Sequence, residues 1–202
     1  MTTPTTRPSL LLRIADPQDS AAWAEFTDLY EPILIRVAKS RGIQIGDAEE
    51  LAQEVLITVL KSIKNFKNGE QVGSFRRWLA TITHNKVRDY FRSIKRIDRR
   101  TQGELLDLST ISDRSLEDMD LALETQWRHQ MFARAVNAIR DTVHQETWEA
   151  FWGTSIEMRS AEQVARELGT SVGNIYVSRS RVIAKLRNWV QQNADPSWEN
   201  LS

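Results

Sequence analysis

The side chains in this sequence best suited to chemistry are amides, hydroxyls and guanidinium groups that could contact the edges of DNA bases. They recur over residues 171–185, a stretch without an acidic residue. The candidates are Ser171, Asn174, Tyr176, Ser178, Arg179, Arg181 and Lys185. Asparagine and arginine can each form two hydrogen bonds with one base in the major groove. The stretch is therefore a candidate for reading duplex DNA.

Two predicted helices and a tight turn would present these side chains. Ser160 and Gln163 have the spacing of a capping box, which predicts a helix start at Ser160. Gly169 suits the left-handed position just beyond a helix end, and Thr170 or Ser171 can cap the second, basic helix. This pattern is typical of the helix-turn-helix, whose second helix enters the major groove. The alternative is an ordinary helical hairpin with a solvated basic face.

A second basic face lies on the helix predicted to begin at Phe75, with Trp78 near its start. Its members recur at helical spacing: Arg77, Thr81, His84, Arg88, Arg92 and Lys95. Such a face, with an aromatic side chain beside it, suits a nucleic-acid backbone and stacked bases. The alternative is that basic residues only complement the helix dipole. Because the basic face runs the length of the helix, binding is favoured.

The most regular predicted helix opens at Asp47 and carries on one side a wide apolar face: Ala48, Leu51, Ala52, Val55, Leu56, Val59, Leu60 and Ile63. The opposite side carries a mainly acidic stripe: Asp47, Glu50, Gln53, Glu54 and Ile57. If the stripe only faced water, the apolar Ile57 among its charged residues would have no explanation. The stripe is therefore a candidate protein interface. An exposed acidic face with one stray isoleucine is an equally good reading of the sequence alone.

Catalytic and metal-binding patterns are not found in the sequence. His84, His129 and His144 lie far apart, and none has a partner at metal-ligand spacing. There is no glycine-rich phosphate loop and no nucleophile motif. We therefore expect no enzyme activity, no catalytic residue, no bound metal and no cofactor.

Composition limits the class of protein. The chain has 202 residues, no cysteine, and 27 basic against 27 acidic residues, so net charge alone does not indicate a partner. No apolar run reaches the length of a membrane span, and the N-terminus lacks a signal-peptide core. We expect a cytoplasmic protein with no membrane insertion.

The predicted organisation is all-α, with two small helical domains joined by a flexible acidic linker. Residues 1–9 are expected to be disordered and residues 10–98 to form the first domain. Residues 99–125 lose helical periodicity and turn acidic, which indicates the linker. Residues 126–192 would form the second domain with the helix-turn-helix, and residues 193–202 a fraying tail. Glu31-Pro32 is expected to break or restart the helix that begins near Asp16-Pro17.

Three segments resemble the extracytoplasmic-function sigma factors, small two-domain members of the sigma-70 superfamily of bacterial RNA polymerase. Asp47 to Val55 (DAEELAQEV) is similar to the family's D-A-E-D-L-x-Q-E-V signature, and Phe75 to Asn85 (FRRWLATITHN) to its F-R-x-W-L-x-x-I-A-x-N motif. Ala165 to Ile175 (ARELGTSVGNI) matches the start of its helix-turn-helix. The resemblance covers about residues 20 to 190 and implies that residues 10–98 are sigma region 2 and residues 126–192 sigma region 4.

The resemblance implies a role for each surface. The stripe at Asp47, Glu50, Gln53, Glu54 and Ile57 would dock on the clamp helices of the polymerase largest subunit, and the polymerase flap would also be contacted. The promoter's minus-ten element, including the melted non-template strand, would be held by Asn65, Phe66, Lys67, Arg77, Trp78, Thr81, Asn85, Arg88 and Arg92. The minus-thirty-five element would be read as duplex by the residues named above over 171–185. An anti-sigma factor is a further possible partner.

Two departures from the family bear on the second domain. The family usually has Lys, Arg and Leu where this chain has Tyr176, Ser178 and Arg179, which places Arg179 near the predicted apolar stripe. The segment before the helix-turn-helix also differs, with aromatic residues such as Trp148 and Phe151. The competing function is a stand-alone helix-turn-helix transcriptional regulator that acts without polymerase.

Overall fold

The computed structural model describes residues 8–66, 74–101 and 115–193, and within them the chain is all-α, as predicted. The first helices are α1 (Pro8–Arg13), α2 (Ser20–Ser40), α3 (Ile45–Ser62) and α4 (Ser74–Thr101). They are followed by α5 (Leu116–Ile139), α6 (Gln145–Ser155), α7 (Ala161–Glu167) and α8 (Val172–Asn193). Short 3-10 turns follow α3 and α5. No helix of the described residues is both long and apolar enough to cross a membrane.

The chain divides into two compact units. Unit 1 comprises Met1–Gln130 and Ala194–Ser202, and unit 2 comprises Met131–Asn193. The division into two units agrees with the two-domain prediction, but the boundary falls inside α5. The expected disorder of residues 1–7 and the fraying of residues 194–202 lie outside the described residues, whereas Pro8 and Ser9 belong to α1.

Helix α2 forms the centre of unit 1 and differs from its prediction at two points. Asp19 caps the helix by accepting a hydrogen bond from the Ala22 backbone N–H, so the start lies three residues beyond Asp16. The predicted break at Pro32 is also wrong, because α2 continues through this residue. An interior proline costs about 3 kcal/mol. The flanking Tyr30 and Ile33 are fully buried, and their burial offsets that cost.

Helices α3 and α4 pack beside α2 through apolar faces at helical spacing. The buried face of α3 consists of Ala48, Leu51, Ala52, Val55, Leu56 and Val59. On α4 the buried apolar residues include Phe75, Leu79, Val87 and Phe91. Tyr30 and Phe75 meet edge to face with ring centroids 5.7 Å apart. These contacts fix the rotation of both helices and thereby decide which of their side chains face outward.

The N-terminal half of α5 belongs to unit 1, although residues 116–125 were predicted as linker. Met119, Leu123 and Trp127 recur every fourth residue and are buried. The acidic residues between them have partners, since the Arg76 guanidinium donates to Asp120 Oδ1 at 2.7 Å and lies 3.3 Å from Glu124 Oε2. The acidic composition therefore reflects paired carboxylates on a packed helix. Residues 102–114 of the predicted linker lie outside the described residues.

Unit 2 is built around aromatic residues of α6. Its main cluster joins α5, α6 and α8 through Ala135, Ile139, Trp148, Phe151, Val182 and Leu186. A second cluster, which includes Val164 and Ile175, fixes α7 against α8. Gly153 lets α6 and α7 approach closely, because a Cβ there would lie 3.0 Å from Val164 Cγ2 of α7 and 2.7 Å from Arg159 Nη2. The recognition elements thus rest on a compact apolar base.

Candidate nucleic-acid interface

Local hydrogen bonds shape the helix-turn-helix of unit 2 as the sequence predicts. The reciprocal capping box of Ser160 and Gln163 starts α7. Gly169 has φ +62°, a left-handed conformation that suits glycine at the end of this helix. Ser171 caps α8, because its hydroxyl oxygen accepts a hydrogen bond from the Asn174 backbone N–H at 3.2 Å. At the start of α8, Ser171, Gly173 and Asn174 are exposed, while Val172 and Ile175 pack in the second apolar cluster.

Most of the predicted base-reading side chains lie on the surface of α8. Those that are exposed are Ser171, Asn174, Tyr176, Arg179, Arg181 and Lys185. Two of them donate side-chain hydrogen bonds in the free chain: the Asn174 amide donates to Thr170 Oγ1 at 2.9 Å, and Lys185 Nζ donates to the Thr142 carbonyl at 3.0 Å. Both bonds are at the surface, where exchange for a DNA partner costs little.

Ser178 is the exception, and its prediction as a base contact is wrong. Its side chain is only 6% exposed. It lies three residues after Ile175 and four before Val182, both of which are buried, so it belongs to the inward face of α8. Arg179, placed near the apolar stripe from the sequence, is exposed at the edge of this face.

On unit 1, the residues proposed from α4 share one outward face. Arg77, Thr81 and Arg92 are exposed, whereas Trp78, Asn85 and Arg88 are partly buried. The Thr81 hydroxyl donates to the Arg77 carbonyl at 2.9 Å within the helix. Arg92 Nη1 lies 3.6 Å from the exposed Asp89 carboxylate, a surface pair of small energetic value. Amide, hydroxyl and guanidinium groups thus alternate along a single face.

An aromatic cluster closes the N-terminal end of this face. The ring of Phe66 lies against Trp78 with centroids 4.8 Å apart, and Trp78 lies 5.6 Å from the fully buried Phe75. Phe66 and Trp78 are partly buried. Each ring therefore has part of its surface covered by its neighbour and part left at the surface, which suits stacking of an unpaired base. Asn65 is exposed beside them, and Lys67 lies outside the described residues.

The stripe on α3 lies on the surface as predicted, and two of its carboxylates contact α4. The Tyr90 hydroxyl donates to Asp47 Oδ2 at 2.6 Å, and Lys86 Nζ donates to Glu54 Oε2 at 2.9 Å. Burial, together with the bond to Asp47, raises the pKa of Tyr90 to about 12. These pairs could not be predicted from helical periodicity, because periodicity does not indicate which faces of two helices meet.

Apolar exposure on α3 is wider than expected. Ile57 is 48% exposed, and Leu60, which we assigned to the core face, is 44% exposed. The two residues are three positions apart and therefore lie side by side on the helix. Glu50 and Gln53 are exposed on the preceding turns. The result is a two-residue apolar patch bordered by acidic and amide groups, which has the composition of a small protein interface.

The described residues contain no cluster of three or more His, Asp or Glu side chains that could hold a metal ion. What both units present are hydrogen-bond donors, positive charges and aromatic or apolar surface. Groups of these kinds are suited to contacts with a macromolecule.

Comparison with known proteins found one family model and several relatives that are similar to this chain. Residues 26–97, which run from α2 into α4, match the family model for sigma-70 region 2. The ECF RNA polymerase sigma factor SigE of Mycolicibacterium smegmatis is 25% identical over 86% of this chain and 63% of its own length. BldN of Streptomyces coelicolor, also an ECF sigma factor, is 26% identical over 91% of this chain and 66% of its own length.

A third relative is matched over most of its length. The ECF RNA polymerase sigma factor RpoE of Cereibacter sphaeroides is 26% identical over 86% of this chain and 91% of its own length. This chain thus spans less than two thirds of the length of the SigE and BldN relatives and 91% of that of RpoE. Residues 26–97 are thus similar to sigma-70 region 2, and the chain as a whole is similar to extracytoplasmic-function sigma factors over most of its length.

Proposed function

We propose that the chain is a sigma factor that directs RNA polymerase core to specific promoters by reading their minus-ten and minus-thirty-five elements. The observation that carries the proposal is that units 1 and 2 each expose a separate surface suited to nucleic acid. A chain that bound a single operator would need only one of them. The proposed role is regulatory and not enzymatic, since it consists of binding and positioning.

The exposed stripe on α3 is the proposed polymerase contact. Ile57 and Leu60 supply apolar surface that becomes buried on binding, and Glu50 and Glu54 supply negative charge. Such a patch suits a partner helix with apolar and basic side chains, as proposed for the clamp helices of the largest subunit. Asp47 and Gln53 belong to the same contact. The flap of the polymerase is the proposed second contact, and an anti-sigma factor would compete for these surfaces.

The outward face of α4 and the aromatic cluster are the proposed minus-ten reader. Phe66 and Trp78 offer ring surface for a base that has left the duplex, with Asn65 and Asn85 as amide partners. Phosphates of the melted non-template strand would lie along the charged and hydroxyl groups of α4: Arg77, Thr81, Arg88 and Arg92. Lys67 is retained in this set on the resemblance of the sequence alone.

The N-terminal part of α8 is the proposed minus-thirty-five reader. Asn174 and Arg181 can each form two hydrogen bonds with a base edge, while Ser171 at the helix start suits a phosphate. Tyr176, Arg179 and Lys185 complete the set, and Ser178 is removed from it because it is buried.

The test is transcription with purified core polymerase from the same organism. Core alone should start at few specific sites on a pool of genomic fragments, whereas core with the full chain should give discrete run-off products. Those products should share two sequence elements at a fixed spacing. A chain that binds duplex DNA tightly but changes neither the number nor the position of transcripts would instead be a stand-alone regulator.

A further inference from the structure

The outward face of α8 has an uncharged centre. Its inward positions are Ile175, Ser178, Val182 and Leu186, all buried. The opposite positions, at intervals of four, three and four residues, are all exposed: Gly173, Val177, Ser180 and Ala184. Within this face only Val177 has a sizeable apolar side chain, and it is 47% exposed.

Helix stability does not explain why a valine stands at position 177 and a glycine at position 173. An exposed β-branched valine lowers helix propensity and leaves its methyl groups in water. Gly173 is not in the left-handed region, and a Cβ there would meet nothing closer than Ser171 Oγ at 3.9 Å. Gly173 is the second residue of α8, and a glycine there still loses more backbone entropy on folding than an alanine would. Close approach of a binding partner to the backbone at Gly173 and apolar contact at Val177 would explain both choices.

Charged groups flank this centre and do not enter it. Arg181 and Arg187 are exposed on opposite sides of the face. In a helix that lies in the major groove, the flanking side chains reach phosphates of the two strands while the central ones meet base edges. Val177 cannot form hydrogen bonds through its side chain, so it can read only apolar groups. Thymine is the base that carries one in the major groove, the C5 methyl.

We propose that Val177 is a specificity-determining residue that packs on the C5 methyl group of a thymine in the upstream promoter element, with Gly173 allowing the helix to come close. This inference rests on the proposed function of unit 2 as a duplex reader. It adds a residue that the motif did not indicate and names the chemical group that this residue selects.

The experiment replaces each thymine of the upstream element with deoxyuridine, which lacks only the methyl group. The probe is a duplex promoter selected from a randomised pool by the full chain bound to core polymerase. For the unaltered protein, uracil at one position, or at two adjacent ones, should weaken closed-complex binding about fourfold, the value of burying one methyl group. Uracil elsewhere in the element should change binding less than about twofold.

The variants assign the effect to the side chain. Val177→Ala should bind the thymine duplex about fourfold more weakly and lose its sensitivity to uracil at the same position. Ile156→Ala removes a similarly exposed apolar side chain at the end of α6 and should keep the full sensitivity. Circular dichroism confirms that both variants are folded.

The possible failures are distinct. If the pool yields no enriched upstream sequence, duplex reading by unit 2 is wrong, and the inference falls with it. If a sequence is enriched but uracil changes binding nowhere, or changes it equally for the Val177→Ala variant, the proposed function stands and the role of Val177 is refuted.

Discussion

At the scale of single residues, side chains that look alike in the sequence differ in what they can still bind. Asp47 and Glu54 are joined to Tyr90 and Lys86 of the neighbouring helix. Ile57 lies on the same stripe, yet nearly half of its side chain is exposed to water. An apolar side chain gains most from becoming buried in a partner, whereas exposed ion pairs contribute little. The binding energy of this stripe should therefore centre on Ile57.

We expect Ile57→Asp to separate binding from folding. The free energy of unfolding should change by less than about 0.5 kcal/mol, as is usual for exposed positions. Affinity for core polymerase should fall by about 2 kcal/mol or more, roughly thirtyfold, because an apolar anchor is replaced by a charge that must be desolvated. Denaturant unfolding and a fluorescence titration with labelled core measure the two quantities.

The matched control is Leu12→Asp on α1, where the leucine is 72% exposed. It makes the same chemical change at a position outside the proposed contact, so core affinity should stay the same. If Ile57→Asp binds core like the control, the α3 stripe is not the polymerase contact. Unfolding of the Ile57→Asp variant would instead place Ile57 in the core of unit 1.

At the scale of elements, the apolar periodicity of α5 is hard to recognise in the sequence, because acidic residues lie between its apolar positions. Leu121 is 62% exposed, whereas Leu123, two positions further on, is fully buried. Leu123→Ala should destabilise the protein by about 2–5 kcal/mol, because a cavity forms where the side chain was enclosed. Leu121→Ala should change stability by less than about 0.5 kcal/mol.

Hydrogen exchange locates the effect of these two variants. The loss of Leu123 should speed amide exchange in α2 and α4, the partners of α5 in unit 1. Exchange in α8 should not change. If Leu121 and Leu123 behave alike, or if exchange rises only in unit 2, residues 116–130 do not belong to the first unit.

At the scale of the whole molecule, each unit should act on a different form of DNA. Arg181→Ala should weaken the closed complex on duplex promoters by about 1–3 kcal/mol if the contact is bidentate, and relax sequence preference at one upstream position. Asn85→Ala should leave closed-complex binding nearly unchanged but reduce strand opening. Gel shift at low temperature measures the first step, and permanganate reactivity of thymines near the start site measures the second.

A promoter with a pre-melted bubble extends this comparison. The Asn85→Ala variant should regain activity there if the residue promotes melting, and stay impaired if it holds the captured base. The Arg181→Ala variant should stay impaired on both templates. If both variants fail at the same step and with the same dependence on upstream sequence, the two surfaces do not act separately, and the single-site regulator becomes the better explanation.

Local signals in the sequence predicted local structure well. The capping box at Ser160 and the left-handed turn at Gly169 depend on residues within one helical turn, so the spacing of types was enough. Predictions that depended on distant contacts failed. The break at Pro32 did not occur, because the core of unit 1 encloses its neighbours. The sequence predicts Ser178 at the surface, but the residue is buried, because its inward rotation depends on how α8 packs against the rest of unit 2.

For the candidate site, too, local features could be predicted from the sequence and contacts between distant residues could not. The motifs placed the stripe on α3 and the outward face of α4 on the correct elements, because residue spacing on a helix fixes which residues share a side. The contacts of Asp47 with Tyr90 and of Glu54 with Lys86 join residues more than thirty positions apart. No periodicity within either segment contains that information.

The shared helix α5 has a consequence for exchanging the proposed DNA-reading unit between proteins. A chimera that tests the proposed division of roles would graft unit 2 of one chain onto unit 1 of another. A fusion point just before Leu116 would separate Met119, Leu123 and Trp127 from the rest of unit 1. Arg76 would then face the corresponding residues of the other protein in place of its own carboxylate partners. A fusion point after Gln130 keeps the buried residues of each unit together with the residues they pack against. The segment to exchange in this chain therefore ends in the middle of helix α5. The composition of the sequence alone would not place a domain boundary there.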